Sequence, residues 1–451
     1  MFSLLELTAM LLTLSALFGW LNYKFLPLPH TIGLLVMSVA VSLVMVAVDL
    51  AFPQRHVFEA LTGTLLQIDF SHVVMDGMLA FLLFAGALHL DLGKLRRRGL
   101  QVAVLALVGT AISTAVVGFA VWGAAAMIGV AMPLSWALVF GALISPTDPV
   151  AVMSTLKNVQ VPPELEVELQ GESLFNDGIG IVLFTVLLRF AMGADASETS
   201  AAAIAELLVV EAGGGIVLGL ATGYVAYWGM RLIDDYPIEI LISLALVTAT
   251  YAIAQRLHVS GPLSMVAAGL LIGDRGPRYA MSDQTKTHLF GLWRVIDEIL
   301  NSVLFLLLGL EVLVLSFADV SPGLAALAIP IVLLGRLLAV SGPLLVLGWG
   351  RLMSIRNVPF LTWAGIRGGI SVALALSLPE SPAKSGILAA TYAVVLFSII
   401  VQGLTLERVA RRTIRLTSGD DEQARAEASL TLQPPSEISL RSPPGEHRPP
   451  S

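Results

Sequence analysis

Apolar runs, each close to the length that crosses a bilayer core, follow one another from the start of the chain to about residue 408. Thirteen such segments can be marked, at about 4–22, 31–51, 73–90, 100–128, 133–156, 170–191, 203–229, 237–256, 260–273, 289–314, 324–348, 359–378 and 386–408. The ninth is the shortest. The pattern predicts an all-α polytopic membrane protein with about 13 transmembrane helices. The first run has no basic segment ahead of it and no small-residue cleavage site, so it is expected to be a retained helix rather than a signal peptide. Beyond about residue 416 the apolar runs stop. Ser418–Ser451 is rich in Ser, Pro, Glu and Arg and lacks aromatics, so 416–451 is expected to be a disordered cytoplasmic tail following a membrane domain at 1–415.

Composition agrees with this pattern. Of 451 residues 56% are apolar and 13% charged, about half the charged share of a soluble domain. Lys and Arg segregate between the two sets of connections. One side receives Lys24, Lys94, Arg96, Arg97, Arg98, Lys157, Arg231, Arg275, Arg278, Lys286, Arg351, Arg356, Arg408, Arg411, Arg412 and Arg415, which makes sixteen. The other receives Arg55, Arg189, Arg256 and Lys384, which makes four. The basic side is expected to be cytoplasmic, with the amino terminus outside and the carboxyl terminus inside a cell membrane. A missed helix would spoil the segregation. No cysteine is present, so thiolate metal sites are excluded and the compartment is left open. Nucleic acid is not an expected partner.

The informative residues are the polar ones inside the spans. The sixth contains Gly171-Glu-Ser-Leu-Phe-Asn-Asp-Gly-Ile-Gly180. At 100° per residue Glu172, Ser173, Asn176 and Asp177 fall within about 140° of one helix face. Acidic groups at such depth cost several kcal/mol and persist mainly where ions or protons are handled.

Two spans carry helix breakers. In the fifth, Ser145-Pro-Thr-Asp-Pro149 should unwind, because Pro146 and Pro149 lack amide donors. Unwound backbone at membrane depth belongs where it is buried in protein or lines a polar cavity. Asp148 can cap the following half-helix, and the Thr147 carbonyl becomes available to a cation. In the twelfth, Gly365-Ile-Arg-Gly-Gly369 weakens the helix, and Arg367 can face either the carboxylates or the carbonyl end of a half-helix. The breaks sit in matching places: Leu100 is 47 residues before Thr147, and Gly323 is 45 before Gly368. The spans are offset by seven, an odd number, so the second unit runs the opposite way through the membrane. Inverted repeats with paired, crossed, discontinuous helices mark secondary transporters.

These motifs, with Arg336 in the eleventh span and Ile299-Leu-Asn-Ser-Val-Leu-Phe-Leu-Leu-Leu-Gly-Leu-Glu311 in the tenth, resemble the NhaP-type sodium/proton antiporters. Those are prokaryotic relatives of the animal sodium/hydrogen exchangers within the cation:proton antiporter superfamily. The resemblance covers about residues 5–415. It implies a homodimer, with interface helices at about 1–51 and 203–273 and a core at about 73–191 and 289–408. It further implies that Asp177 binds either cation or proton, that Asp148, Thr147 and Ser173 line the cation site, and that Glu172 and Arg336 form a buried ion pair. Asn176 would support the aspartate.

The residues argue for the same chemistry. Burial disfavours the charged form of an aspartate, so H⁺ and Na⁺ compete for Asp177 near physiological pH. Glu172 has Arg336 as a fixed partner, Asp148 has a helix amino end or Arg367, and Asn176 cannot titrate. Only Asp177 changes protonation, which predicts 1:1 electroneutral exchange. The all-oxygen ligand set suits a hard alkali cation. Na⁺ and Li⁺ are the expected ions, although K⁺/H⁺ exchangers share much of the pattern. No cofactor is expected. A channel would need a repeated filter sequence. A proton-coupled symporter of an organic solute would need a roomier site with several polar or aromatic contacts. An enzyme would need a phosphate loop or a nucleophile with a base. Asp297, Glu298 and Asn301 mark either a cation-attracting vestibule or a solvated helix end. Gly215, Gly219 and Gly223 form a small-residue ridge suited to close packing within the subunit.

Overall fold

The computed structural model describes residues 4–51, 70–157, 159, 161–193, 201–313, 321–346 and 357–414. The expected tail at 416–451 lies outside the described residues. Almost all that is described is α-helix. In chain order the elements are α1 (Leu4–Phe25), α2 (His30–Ala51), α3 (Phe70–His89), α4 (Leu92–Met127), α5 in two halves (α5a, Leu134–Ile144; α5b, Pro149–Leu156) and α6 (Pro163–Ala191). They continue as α7 (Ala201–Arg231), α8 (Tyr236–Leu257), α9 (Gly261–Tyr279), α10 (Asp283–Leu310) and α11 (Pro322–Val346). The series closes with a second broken helix, α12a (Val358–Trp363) and α12b (Gly369–Leu376), and with α13 (Lys384–Thr413).

Every expected segment has a helical counterpart, and ten are long and apolar enough to cross a membrane. The other three are α9, α10 and the broken α12. Charged residues occupy one end of α9 and of α10, and the break leaves α12 without a long continuous run. Several helices extend beyond their apolar runs. The expected fourth segment begins at 100, but α4 begins at Leu92, because the Asp91 carboxylate accepts from the Lys94 amide and caps it. The basic cluster therefore rides on a helical extension rather than a loop. Its 36 residues amount to about 54 Å at the helical rise, well beyond a hydrocarbon core of about 30 Å.

Packing is set by small residues where helices lie close. Gly215 and Gly219 of α7 lie against the backbone at Ser260 and Ser264, at the start of α9, where an added Cβ would collide. The ridge thus serves packing within the subunit. Gly269 and Gly273 of α9 accept the backbone of α3 in the same way. One apolar cluster joins α3, α8, α9 and α10 around Trp293 and Phe84. A larger one joins α5, α11, α12 and α13 and reaches α1 and α2. α6 contributes to both, Leu165, Leu169 and Phe184 to the larger and Val167 and Leu174 to the smaller.

Candidate ion-binding site

Both breaks form where the sequence removes helical hydrogen bonds. After Ile144 the chain unwinds through Pro146, and α5b restarts at Pro149 with Asp148 as its cap. Oδ1 of Asp148 accepts from the amides of Val150 at 2.8 Å and Ala151 at 3.3 Å, satisfying the first donors of the half-helix. In α12, Gly368 takes extended backbone and α12b begins at Gly369. The two unwound stretches meet. The Asp148 amide donates to the Ile366 carbonyl at 2.7 Å, and Gly368 lies against the Asp148 carboxyl, leaving no room for a side chain there.

Arg367 resolves to one of its two expected roles. It faces the carbonyl end of α5a, where its Nη1 donates to the carbonyls of Ser145 and Pro146. A buried guanidinium at the negative end of a half-helix is electrostatically well placed. It is 1% exposed.

The polar residues of α6 line up as the periodicity requires, and all four are buried. Asn176 holds the α5 break from the side: its Oδ1 accepts from the Thr147 amide at 3.3 Å, and its Nδ2 donates to Thr147 Oγ1 at 2.9 Å. Thr147 Oγ1 and Ser173 Oγ are 2.8 Å apart. Gly180, one turn beyond Asp177, lets α6 approach the Pro146 ring. Glu172 and Arg336 form a bidentate ion pair. Nη1 meets Oε1, Nη2 donates to Oε2 at 3.0 Å, and Nε donates to the Leu361 carbonyl at 3.3 Å. Arg336 thereby ties α6, α11 and the end of α12a together.

Asp177 is different. It is buried, yet it makes no hydrogen bond or ion pair among the described residues, and the Asp148 carboxyl shares its cavity. It lines a cavity of about 420 Å³ that also touches Thr147, Asp148, Asp297, Glu298 and Asn301. Asp297 and Asn301 are bonded to one another: the Asn301 amide donates to the Asp297 carboxylate at 3.0 Å and to its carbonyl at 2.8 Å. Asp297, Glu298 and Asn301 all line the cavity, with Asn301 buried and Glu298 exposed at its edge. Ser173 is not among the cavity-lining residues; it supports Thr147 from behind.

Two polar residues at these helices are not singled out by the sequence pattern. Glu168 is 4% exposed, one helical turn before Glu172, with Arg98 and Arg336 as its charged neighbours. The run Pro163-Glu-Leu-Glu-Val-Glu168 reads as the water-facing start of a helix, and only its spacing of four from Glu172 hinted otherwise. Ser371 lies on α12b, faces the cavity and is 1% exposed. A serine in an apolar helix gives no signal by itself.

A family model described as "Sodium/hydrogen exchanger, transmembrane" matches residues 12–412. The chain belongs to the sodium/hydrogen exchanger family. Within it, the chain is 43% identical over 414 residues to the Na⁺/H⁺ antiporter NhaP of Pseudomonas aeruginosa, covering 91% of this chain and 97% of that protein. It is 36% identical over 380 residues to the Na⁺/H⁺ antiporter NhaH of Halobacillus aidingensis, covering 83% of this chain and 91% of the relative. The fold matches the solved sodium proton antiporter MjNhaP1 of Methanocaldococcus jannaschii with a TM-score of 0.67 at 21% identity, over 91% of this chain and 98% of that one. Membership of this family accounts for a multi-pass membrane architecture.

Proposed function

We propose that this protein is a secondary active antiporter that exchanges Na⁺ for H⁺ by alternating access, with Asp177 carrying either ion in turn. The observation that carries the reading is the unequal treatment of the site's carboxylates. Glu172 is neutralised by Arg336, and Asp148 is capped into α5b. Asp177 is the buried carboxylate left facing the cavity without a fixed partner among the described residues, whereas Glu298 on the same wall is exposed. An unpaired buried carboxylate is costly until neutralised, and either H⁺ or a hard cation neutralises it. If the loaded, neutral form alone reorients, then cation and proton must cross in opposite directions, one for one and without net charge. The relatives named as Na⁺/H⁺ antiporters support Na⁺ as the cation. Thr147 and Asp148 would complete the ion's surroundings, with Ser173, Asn176, Glu172, Arg336 and Arg367 holding them in place.

The same reading includes a homodimer in a cell membrane, through helices at about 1–51 and 203–273, with the amino terminus outside. That part rests on the resemblance and on the segregation of basic residues.

Intravesicular pH in proteoliposomes tests the exchange. A Na⁺ gradient is imposed while K⁺ and valinomycin clamp the voltage at zero, for the native chain and for Asp177→Asn. Na⁺-driven proton movement present in the native chain and lost in the variant is expected. Failure of Na⁺, Li⁺ and K⁺ gradients alike to move protons through folded protein would overturn the proposal.

A further inference from the structure

Buried hydroxyls on the helices of this protein commonly bond back to a carbonyl one turn earlier. Ser38 donates to Leu34, Thr155 to Ala151, Ser264 to Ser260, and Thr391 to Ile387, at 2.7–3.0 Å. The habit satisfies the hydroxyl within its own helix. Ser371 is the third residue of α12b, and the positions three and four before it, Gly368 and Arg367, belong to the break. The Gly368 backbone is extended, so no carbonyl stands in helical register beneath the Ser371 side chain. Its Oγ is buried and has no hydrogen-bond partner among the described residues. The same residue lines the cavity that Asp177 and Asp148 line. The hydroxyls around the α5 break are occupied: Thr147 and Ser173 with each other and with Asn176, and Ser145 with the Gly141 carbonyl.

A buried hydroxyl without a partner costs about 1–3 kcal/mol, and of the described hydroxyls left so, Ser371 is the one that lines this cavity, where a ligand can come and go. From its position beside an unpaired carboxylate we propose that the Ser371 hydroxyl is a ligand of the transported cation. Its oxygen faces Na⁺ when Asp177 is ionised and loaded. When Asp177 is protonated, the hydroxyl turns to exchange a hydrogen bond with the carboxyl. A hydroxyl can do both because it is donor and acceptor at once and its hydrogen rotates freely. Ser371 also brings α12b, the half-helix across from α6, into the ion's surroundings, so that both breaks touch the same ion. The assignment rests on the Na⁺/H⁺ exchange proposed above.

The natural absence of cysteine makes the test direct, because Ser371→Cys introduces the sole thiol of the chain. Sulfur is a poor ligand for a hard cation but occupies similar space. Full-length Ser371→Cys in proteoliposomes is treated with a small cationic methanethiosulfonate, with Na⁺, Li⁺ or choline present. Labelling in choline, slowed at least fivefold by Na⁺ or Li⁺, is expected. In parallel, Ser371→Ala should raise the KM for Na⁺ at least fivefold, a larger change than its loss of maximal rate. Absence of labelling, labelling indifferent to Na⁺, or a KM within twofold of native would each overturn the assignment while leaving exchange through Asp177 standing. Loss of Na⁺-driven proton movement in the native chain would instead remove the exchange reading itself. A hydroxyl that merely packed would give neither cation protection nor a selective change in KM.

Discussion

Glu172 and Asp177 lie five residues apart on one buried helix face, and removing their charges should move stability in opposite directions. The Glu172 carboxylate receives both terminal nitrogens of Arg336, and the two groups are 1% and 5% exposed. Glu172→Gln keeps the shape but leaves a guanidinium buried without counter-charge, a loss of about 3–5 kcal/mol when one partner of such a pair is removed. The cost reaches beyond α6, because Arg336 also holds the Leu361 carbonyl at the end of α12a. Asp177 has no partner to lose. Asp177→Asn replaces an unpaired buried charge by an amide, whose burial is cheaper by at least about 1 kcal/mol, so stability should hold or rise. Thermal unfolding of the purified protein, followed by the fluorescence of its seven tryptophans in Na⁺-free buffer, reads both changes. A double variant, Glu172→Leu with Arg336→Leu, should recover part of the loss, since well-packed apolar residues can replace a buried pair. The reasoning is refuted if Asp177→Asn falls as far as Glu172→Gln, or if the double variant is no better than the single one.

Further outcomes follow from the same geometry. Protonation of Asp177 excludes Na⁺, so the KM for Na⁺ should rise as pH falls and approach a tenfold change per unit in the acid limb; transport assays across pH check the slope, and a KM flat over the acid range would contradict a single competing carboxylate. Native protein should be stabilised against heat by Na⁺, by about 2.7 kcal/mol at a hundred times the dissociation constant, and Asp177→Asn should lose that gain. Gly219→Val drives a branched side chain into the α9 backbone at Ser264 and should cost at least about 1–3 kcal/mol in a thermal melt. Arg367→Gln frees the Ser145 and Pro146 carbonyls at the end of α5a and should abolish transport even where folded protein is recovered, as judged by size-exclusion profile and proteoliposome flux.

How much of this was legible in the sequence depends on what each feature requires. The all-helical class and the order of the helices follow from apolar runs, because a membrane tolerates few alternatives to a helix of that length. Pro146 and Pro149 announced the first break, since a missing amide acts wherever the proline sits. The glycines of α12 announced the second less firmly; what fixes it in place is the Asp148 amide on the Ile366 carbonyl, a contact between residues more than two hundred positions apart. Asn176 and Glu172 stood out because polar groups at depth are rare, and the structure gives each a partner. Helix ends were read less well. The charged starts of α4 and α6 fell outside the marked apolar segments, yet Asp91 capping and the position of Pro163 carry both helices beyond them. Ser371 could not be found from the pattern at all. Its distinction is the lack of a carbonyl beneath it, a consequence of the break's detailed shape.

The bonds joining the two breaks have a further consequence. Asp148 to Ile366, Arg367 to Ser145 and Pro146, and Glu172 to Arg336 and on to Leu361 link α5, α6, α11 and α12, and none of them passes through Asp177. Arg367, Glu172 and Arg336 make their links through charged side chains, and a charge-assisted bond is worth about 1.5–3 kcal/mol against about 0.5–1.5 for a neutral one such as the Asp148 amide makes. Ion exchange at Asp177 can therefore alter the charge of this unit without loosening it. The side-chain hydrogen bond from the unit to α2 is of the weaker kind. Thr31 of α2 meets Ser154 of α5b through a single hydroxyl contact at 3.1 Å, beside the cavity. A conformational step driven by neutralising one carboxylate has only a few kcal/mol to work with. It will break neutral hydroxyl contacts at the cavity's edge before it separates buried guanidinium bonds, so the two breaks should travel together, with the ion between them, and slide against α2.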